Sequence, residues 1–350
     1  MKHFIKSIVP FSFIIGLCFL TACASKGDSS SVETAQFSTE SSNTTSLPNS
    51  KQLSVGIIEA PWALGTSALD AAYAETLFAT AEKEILVIPC FATEEQEILD
   101  YATQLIEDEV KALIVSIPTP STADKLIEIV KKKGIPILFM GAEPTDQTMQ
   151  SYDKSWYIGM LCEQTGELLG KAIAQDFKDR IIPDNNGDDL LQYAWFGGDA
   201  SGSGKLHYEY SLQSATDMGV FSNEVFADLT NFGQEAGNAM AQTLFGLTEP
   251  VQQYPTPEAV IASDSETAKG AAPILQERNV YLACVAWSQT EAQSLQEQGI
   301  HVPVWFPKQE ATKYAVQFAE NLLQGKHVTL DTGLYLDEQR KTLIGAQTKK

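Results

Sequence analysis

The fold of this chain is decided by one stretch, Leu113–Gly159, which reads LIVSIPTPSTADKLIEIVKKKGIPILFMGAEPTDQTMQSYDKSWYIG. Its first apolar run, Leu113–Ile117, has the length and composition of a buried strand. Ser121 and Asp124 have the spacing of a capping box, which predicts the start of an amphipathic helix. A second apolar run, Ile135–Met140, follows the helix pattern. Strand, helix and strand in this order predict one βαβ unit with parallel strands.

The same alternation of short apolar runs and amphipathic helices occupies most of the remaining chain. It starts at Leu53 and continues to about Leu323. Continuous apolar strands separated by helices are typical of parallel sheets that are covered on both faces. The predicted strands are too numerous for one open sheet. We therefore predict an α/β fold of two Rossmann-like, doubly wound lobes.

The N-terminal region has the pattern of a targeting segment followed by a tether. An apolar run at Ile8–Leu20 is too short to span a membrane. The residues up to Cys23 resemble the lipobox of bacterial lipoproteins, in which the cysteine is lipidated after cleavage. We expect residues 1–22 to be a signal peptide and residues 23–51, rich in Ser, Thr and Asn, to be a disordered tether. The alternative is an ordinary secretory signal with an incidental cysteine.

The charge of the chain excludes one class of partner. The full sequence has 24 basic and 45 acidic residues, a net charge of −21. Removal of residues 1–22 takes away Lys2 and Lys6 and no acidic residue, which leaves 22 − 45 = −23. Nucleic-acid binding needs a basic surface, so we expect no nucleic-acid partner.

The cysteines indicate neither a disulfide framework nor a metal site. Cys90, Cys162 and Cys284 remain after the signal and the lipidated cysteine are set aside, and they form no CxxC motif. We expect three buried thiols that pack as small apolar groups. A bridge between Cys162 and Cys284 is the alternative.

Enzyme motifs are not matched. Gly198–Lys205 reads GDASGSGK, but Asp199 occupies the position of the first glycine of a phosphate-binding loop. The histidines His207, His301 and His327 are far apart in sequence and lack metal-ligand spacing. We therefore expect a protein that is not an enzyme.

Several short motifs carry a resemblance to a known family. The chain resembles the type I periplasmic sugar-binding proteins of ABC transporters, and within them the galactose/methyl-galactoside-binding proteins. The motifs that carry it are Ile135–Ile137, Glu143–Pro144, Ser151–Lys154, Tyr157–Gly159, Val260–Ala262 and Ala319–Leu322. The resemblance implies two lobes joined by three hinge crossings, with a ligand held in the cleft between them.

The resemblance also implies where the lobes begin and end. The crossings are expected near Phe139–Gly141, Phe306 and Arg340–Thr342. The N-terminal lobe is then residues 52–140 plus 307–341, and the C-terminal lobe is residues 141–306 plus 342–347.

An acidic loop at Asp184–Gln192 suggests a structural calcium ion. Its oxygen-bearing side chains stand at positions 1, 3, 5 and 9, as in EF-hand-like loops. The similar proteins add a distant glutamate, and Glu258 stands at the matching place. Asp189 takes the usual glycine position and must adopt a left-handed conformation. The alternative is an acidic surface turn. The candidate ligands are Asp184, Asn186, Asp188, the Leu190 carbonyl, Gln192 and Glu258.

The sugar-binding positions of the family are largely changed in this chain. A buried sugar hydroxyl needs a hydrogen-bonding partner, and the family supplies planar polar side chains. Here the matching positions leave an aromatic cleft with few polar points, so we expect no tight binding of galactose or glucose. The candidate ligand-binding residues are Trp62, Ser116, Phe232, Asp264, Trp287 and Phe306.

These observations together predict a membrane-anchored, extracellular solute-binding lipoprotein. We expect a monomer, held at the outer face of the cell membrane through Cys23, that passes a small sugar-like ligand to an ABC permease. A sensory lipoprotein that contacts a membrane kinase or receptor is one alternative. A diverged scaffold that has lost sugar binding is another.

Overall fold

A computed structural model of the chain describes residues 53–60, 68–80, 84–198, 203–248, 253–329 and 334–348. The expected signal peptide, the tether, Cys23 and Trp62 lie outside the described residues. All described residues belong to one compact unit, Leu47–Lys350. Within them, no helix combines the length and apolar character that a membrane span requires.

Strands and helices alternate along the described chain. In order they are β1 (Leu53–Glu59), α1 (Ala71–Phe78), β2 (Ile85–Phe91), α2 (Glu95–Glu107), β3 (Ala112–Ile117), α3 (Pro120–Val130), β4 (Ile137–Gly141), α4 (Asp146–Gln150), β5 (Ser155–Met160), α5 (Cys162–Lys178), β6 (Leu191–Phe196), α6 (Ser203–Asp217), β7 (Ser222–Asp228), α7 (Gln234–Leu244), β8 (Ala259–Ala262), α8 (Ser265–Glu277), β9 (Tyr281–Ala286), α9 (Gln289–Glu297), β10 (His301–Trp305), α10 (Lys308–Leu323), β11 (Lys341–Ile344) and β12 (Gln347–Thr348).

The strands form two six-stranded sheets, which confirms the predicted two-lobed α/β fold. The first sheet has the order β11-β5-β4-β3-β1-β2, and the second has the order β12-β10-β9-β8-β6-β7. The strand pairs are parallel except that β12 runs antiparallel to β10. In both sheets the strand order reverses near the middle, and such a switch point opens a crevice at the carboxyl ends of the strands.

The βαβ unit predicted from the opening stretch is present. Strands β3 and β4 are parallel neighbours, with Leu113 opposite Ile137. The helix between them starts differently from the prediction, because Thr119 is its N-cap residue and Pro120 stands in its first turn. The Asp124 carboxylate accepts a hydrogen bond from the Thr148 hydroxyl at 2.5 Å, so it ties α3 to α4 instead of closing a capping box.

Side chains alternate between the two faces of each sheet, which explains the continuous apolar strands. On β3, Ile114 belongs to the core on one face, and Leu113 and Val115 belong to the core on the other. On β6, Phe196 belongs to the core on one face of the second sheet, and Trp195 belongs to the core on the other face. Each lobe therefore has two apolar layers with the sheet between them.

The expected position of the first crossing is wrong. Residues from Gly141 onward do not enter the second lobe, because β5 pairs with β4 in the first sheet through Ile137 and Ser155. Gly141 has φ +91° and ends β4; a Cβ there would lie 2.6 Å from the Ile117 carbonyl oxygen. The Tyr157 hydroxyl also donates to the Gly141 carbonyl at 2.8 Å. The chain first crosses between β5 and α5.

The other two crossings lie close to their expected positions. The second lies between β10, in the second sheet, and α10, which packs on α1 in the first lobe. The third was expected near Arg340–Thr342, but β11 pairs with β5 in the first sheet and the chain crosses between Ile344 and Gln347. The first lobe therefore keeps residues 341–344.

Two cysteines that could have formed a bridge lie in different apolar clusters. Cys162 belongs to an apolar cluster made mainly of first-lobe residues, and Cys284 belongs to a core of the second lobe. No disulfide joins the two residues in the described part of the chain.

Two helices of the second lobe pack with their backbones in contact. A Cβ on Gly166 of α5 would lie 2.7 Å from the His207 carbonyl oxygen of α6, and one on Gly170 would lie 2.0 Å from that of Ser211. The Ser211 hydroxyl lies 3.0 Å from the Gly166 carbonyl and 2.6 Å from the His207 carbonyl. The N-terminal ends of both helices are thereby placed side by side.

Candidate functional site

A cleft of ≈ 780 Å³ lies between the two lobes at the carboxyl ends of the strands. Its first-lobe wall comes from the loops after β3 and β4 and from β11. Its second-lobe wall comes from the first turns of α5 and α6 and the loops after β8 and β9. The volume is within the usual range for a small-molecule site. The lining residues are Pro118, Thr119, Pro120, Ala142, Glu143, Pro144, Thr145, Asp146, Met160, Cys162, Glu163, Gly198, Gly204, Lys205, Leu206, His207, Glu209, Phe232, Ser263, Asp264, Val285, Trp287, Lys341 and Leu343.

Phe232 lines the cleft and presents its ring to solvent. Its side chain is 37% exposed. The preceding turn is held by the Asp228 carboxylate, which accepts the Thr230 backbone N–H at 2.9 Å and an Asn231 side-chain N–H at 2.7 Å. The following Gly233 N–H donates to the Thr267 hydroxyl at 2.9 Å. The ring is therefore carried on a loop whose backbone is hydrogen-bonded on both sides of it.

Asp264 lines the cleft, but its carboxylate also caps the N-terminus of α8. It accepts the Thr267 backbone N–H at 2.9 Å, and the hydroxyls of Thr267 and Ser263 at 2.7 Å each. This is the geometry of an N-cap. Burial raises the pKa of Asp264 above its ordinary value, although these hydrogen bonds act in the opposite direction.

Trp287 and Phe306 are in contact, and of the two Trp287 lines the cleft. Their ring centroids are 5.9 Å apart with an interplanar angle of 77°, an edge-to-face arrangement. Trp287 is 5% exposed and Phe306 is 1% exposed. Phe306 is not among the lining residues and belongs to the same apolar cluster as Trp287, so it supports the cleft wall from behind.

Ser116 is away from the cleft. Its side chain is fully buried, and its hydroxyl donates to the Ala60 carbonyl at 3.2 Å. It therefore joins β3 to the end of β1. Trp62 lies outside the described residues.

Sequence reasoning did not identify the buried imidazole of the cleft. His207 lines the cleft near the start of α6 and is 5% exposed. Its Nε2 has no hydrogen-bond partner among the described residues. Burial lowers the pKa of His207 to about 4, so the ring is neutral at pH 7. A search for metal-ligand spacing could not find His207. The residues packed against it come from α5, which is distant in sequence.

Sequence reasoning also did not identify the cationic group on the first-lobe wall. Lys341 of β11 is buried, and its Nζ lies 3.0 Å from Glu143 Oε1 and 2.7 Å from Asp146 Oδ1. Burial alone would lower the pKa of Lys341, but the hydrogen bonds and charges of Asp146 and Glu143 raise it above its ordinary value. The network ties β11, next to the third crossing, to the loop between β4 and α4.

The acidic loop at 184–192 has the backbone shape that its sequence requires. Asp189, at the position where glycine is usual, has φ +58°. Glu258 is 2% exposed, and its two carboxylate oxygens accept the N–H groups of Asn185 at 2.6 Å and Gln192 at 3.0 Å. Glu258 is distant in sequence but is thus hydrogen-bonded to the backbone of the loop.

The candidate calcium ligands are engaged in hydrogen bonds within this loop. Asp184 accepts the Gly187 N–H at 2.8 Å, and Asp188 accepts the Leu190 N–H at 2.9 Å and a Gln192 side-chain N–H at 3.0 Å. Asn186 donates to Asp188 at 2.9 Å. Across the described ranges, no three His, Cys, Asp or Glu side chains are gathered closely enough to hold a metal ion.

A guanidinium group stands beside the same loop. Arg180 lies 3.3 Å from Asp184 Oδ2 and 3.2 Å from Asp189 Oδ1. The residue types and the backbone fit a calcium loop, whereas the Arg180 guanidinium already balances part of its negative charge.

Comparison with known proteins agrees with the two-lobed architecture. The profile of the family described as "periplasmic binding protein domain" matches residues 74–327. The chain is 25% identical over 130 residues to the D-galactose/methyl-galactoside binding periplasmic protein MglB of Haemophilus influenzae. That match spans 37% of this chain and 39% of the relative's length.

Solved structures share the fold at low sequence identity. An ABC transporter periplasmic solute binding protein from Actinobacillus succinogenes, with bound D-allose, superposes with a TM-score of 0.64 at 12% identity, over 85% of this chain and 97% of that one. An ABC transporter solute binding protein from Bacillus halodurans, with bound myo-inositol, superposes with a TM-score of 0.61 at 15% identity. The superposition covers 86% of this chain and 95% of that one. The family profile covers more than half of the sequence, and the chain therefore belongs to the periplasmic binding protein domain family, with the type I fold.

Proposed function

We propose that this protein is a lipid-anchored, extracellular solute-binding lipoprotein that captures a small sugar-like ligand for ABC import. The observation that carries the proposal is the interlobe cleft of ≈ 780 Å³, whose wall includes the exposed ring of Phe232 and the indole of Trp287. Aromatic faces in a cleft between two lobes suit a small ring-shaped solute.

The proposed ligand is neither galactose nor glucose. Ser116 bonds to Ala60 and lies away from the cleft, and the Asp264 carboxylate is occupied by its helix cap. Desolvated sugar hydroxyls would therefore find few side-chain partners from this set, and an unpaired buried hydroxyl costs free energy. The solved relatives with bound D-allose and myo-inositol support a hydroxylated solute as the general class.

The three crossings supply the means of ligand capture. Each is a short backbone segment between the two sheets, and hinge closure about such segments is the usual motion of two-lobed binding proteins. We propose binding without catalysis, which is the activity of the family to which the chain belongs.

The remaining parts of the proposal concern the membrane and the metal. Cys23 would carry the lipid and hold a monomer at the outer face of the cell membrane, where an ABC permease would be its partner. Asp184, Asn186, Asp188, the Leu190 carbonyl, Gln192 and Glu258 would hold a calcium ion, which would cross-link the loop before β6 to the residue before β8.

The proposed function is tested by identifying the solute that co-purifies with the protein and by titrating it back. Mass spectrometry of the denatured protein should yield a small hydroxylated compound. This compound should give a saturable change in tryptophan fluorescence, since Trp287 lines the cleft. Galactose and glucose should give no saturable change at micromolar concentration.

Matched variants show whether the signal comes from the cleft. Trp287→Phe should strongly reduce the fluorescence change. Trp156→Phe should preserve it, because Trp156 packs edge-to-face on Phe318 within the first lobe, with ring centroids 5.3 Å apart. A saturable change with galactose or glucose would overturn the exclusion of those sugars. If no co-purified solute, sugar or polyol produced any change, solute binding itself would be wrong.

A further inference from the structure

Both lysines on the described part of the cleft wall are already paired with carboxylates. Lys341 lies 3.0 Å from Glu143 and 2.7 Å from Asp146. Lys205, in the first turn of α6, lies 3.3 Å from Glu209. The charge of each lysine is therefore balanced by at least one neighbouring carboxylate.

Two further carboxylates line the cleft without a cation. Asp264 uses its oxygens to accept three hydrogen bonds at the start of α8. Glu163 differs from it, since it makes no hydrogen bond or ion pair with any described residue. It is half-buried in the first turn of α5, directly after the first crossing. Among the described lining residues, it is the carboxylate with no hydrogen-bonding partner in the protein.

The sum of the charges around the cleft is negative. The lining residues include five carboxylates and two lysines, which gives 2 − 5 = −3 from the side chains. His207 adds no charge at pH 7, because burial lowers its pKa to about 4. The N-termini of α3, α5, α6 and α8 each add about half a positive charge, roughly +2 in all. The remainder, about −1, disfavours an anionic ligand.

The aromatic groups of the cleft suit a cation as well as a sugar ring. Phe232 presents an exposed ring and Trp287 an indole to the same cleft. The faces of such rings attract ammonium groups through their quadrupoles. A ligand with a protonated amine could gain from both Glu163 and these rings.

We propose that the ligand of this cleft carries a protonated amine and that Glu163 binds it. The inference rests on the proposed function and specifies its substrate class as an amine-bearing, hydroxylated small solute. Glu163 is then the residue that makes the cleft prefer a positively charged ligand.

Amino sugars test the charge preference on a constant carbohydrate frame. Isothermal titration at pH 7 would compare D-glucosamine, D-galactosamine and D-mannosamine with their N-acetyl derivatives and with D-glucuronate and D-galacturonate. At least one free amine should bind ten-fold or more tightly than its N-acetyl derivative, and the uronates should not bind. Glu163→Gln should weaken the binding of that amine at least ten-fold.

The chain offers a matched control on the same helix. Glu167, whose side chain is 46% exposed, is paired with Lys171, and it is not among the lining residues. Glu167→Gln removes the same charge and should leave amino-sugar affinity unchanged. Glu163→Asp, which keeps the carboxylate, should retain the preference for the free amine over the N-acetyl form. Thermal melting of each variant would verify that it is folded.

Each remaining outcome contradicts the inference. Equal binding of a free amine and its N-acetyl form, tight binding of a uronate, or unchanged amine binding in Glu163→Gln would overturn it. Failure of all three amino sugars to bind at millimolar concentration would also overturn it. If a neutral or anionic solute instead co-purified and bound, the amine inference would fail while the proposed solute-binding function stood.

Discussion

Acidification should destabilise the folded protein through His207. Burial lowers the pKa of this imidazole from 6.5 to about 4. Between those two values the unfolded chain binds a proton that the folded chain does not. Stability therefore rises with pH across this window, is fully present above about pH 6.5, and is lost as the pH falls towards 4.

The magnitude follows from the size of the pKa change. The difference is 6.5 − 4, or about 2.5 units, and each unit corresponds to about 1.4 kcal/mol. The side chain is only 5% exposed, so solvent screens the effect little. The free energy of unfolding should therefore fall by about 3 kcal/mol from this residue alone.

Urea unfolding followed by circular dichroism at pH 7.5, 6.5, 5.5 and 4.5 measures the effect. His207→Gln has no titrating group at this position, so the difference in unfolding free energy between wild type and variant isolates the imidazole. Burial also lowers the pKa of His301, but this residue is present in both proteins and cancels. A difference that stays constant from pH 7.5 to 4.5 would refute the reasoning.

Two further predictions concern the loop and the anchor. Calcium titrated into chelator-stripped protein should bind at or below millimolar concentration. The Arg180→Gln variant should bind calcium several-fold more tightly, because the guanidinium no longer competes for Asp184. Absence of heat in both proteins would show that the loop is an acidic turn. Cys23→Ser should release the protein from the membrane fraction and Cys90→Ser should not; a membrane-bound Cys23→Ser would contradict the lipid anchor.

The fold class could be predicted from the sequence because it depends on local periodicity. The apolar runs of β3 and β4 and the amphipathic helix between them reflect neighbours in the chain, and the structure confirms this unit. The left-handed conformation of Asp189 was likewise expected from its position in the acidic loop, and its φ of +58° agrees.

The lobe boundary could not be predicted in the same way. Strand β5 has an apolar pattern that suits either sheet, and its place is decided by pairing with β4 and β11. The end of β5 at Met160 and the start of β11 at Lys341 are 181 residues apart in sequence. A local sequence pattern therefore cannot predict that these two strands pair. The Arg340 guanidinium reinforces this pairing by donating to the Ser155 and Tyr152 carbonyls, each at 2.9 Å.

The sequence by itself therefore determined the alternation of strands and helices, the two-lobed class and the shape of the acidic loop, since each arises from residues close together in the chain. The tertiary structure alone decided which side chains meet in the cleft. It withdrew Ser116 into the core and placed Phe306 behind Trp287. It brought Glu163 and His207 to the wall, because the ends of α5 and α6 meet there through contacts between residues distant in sequence.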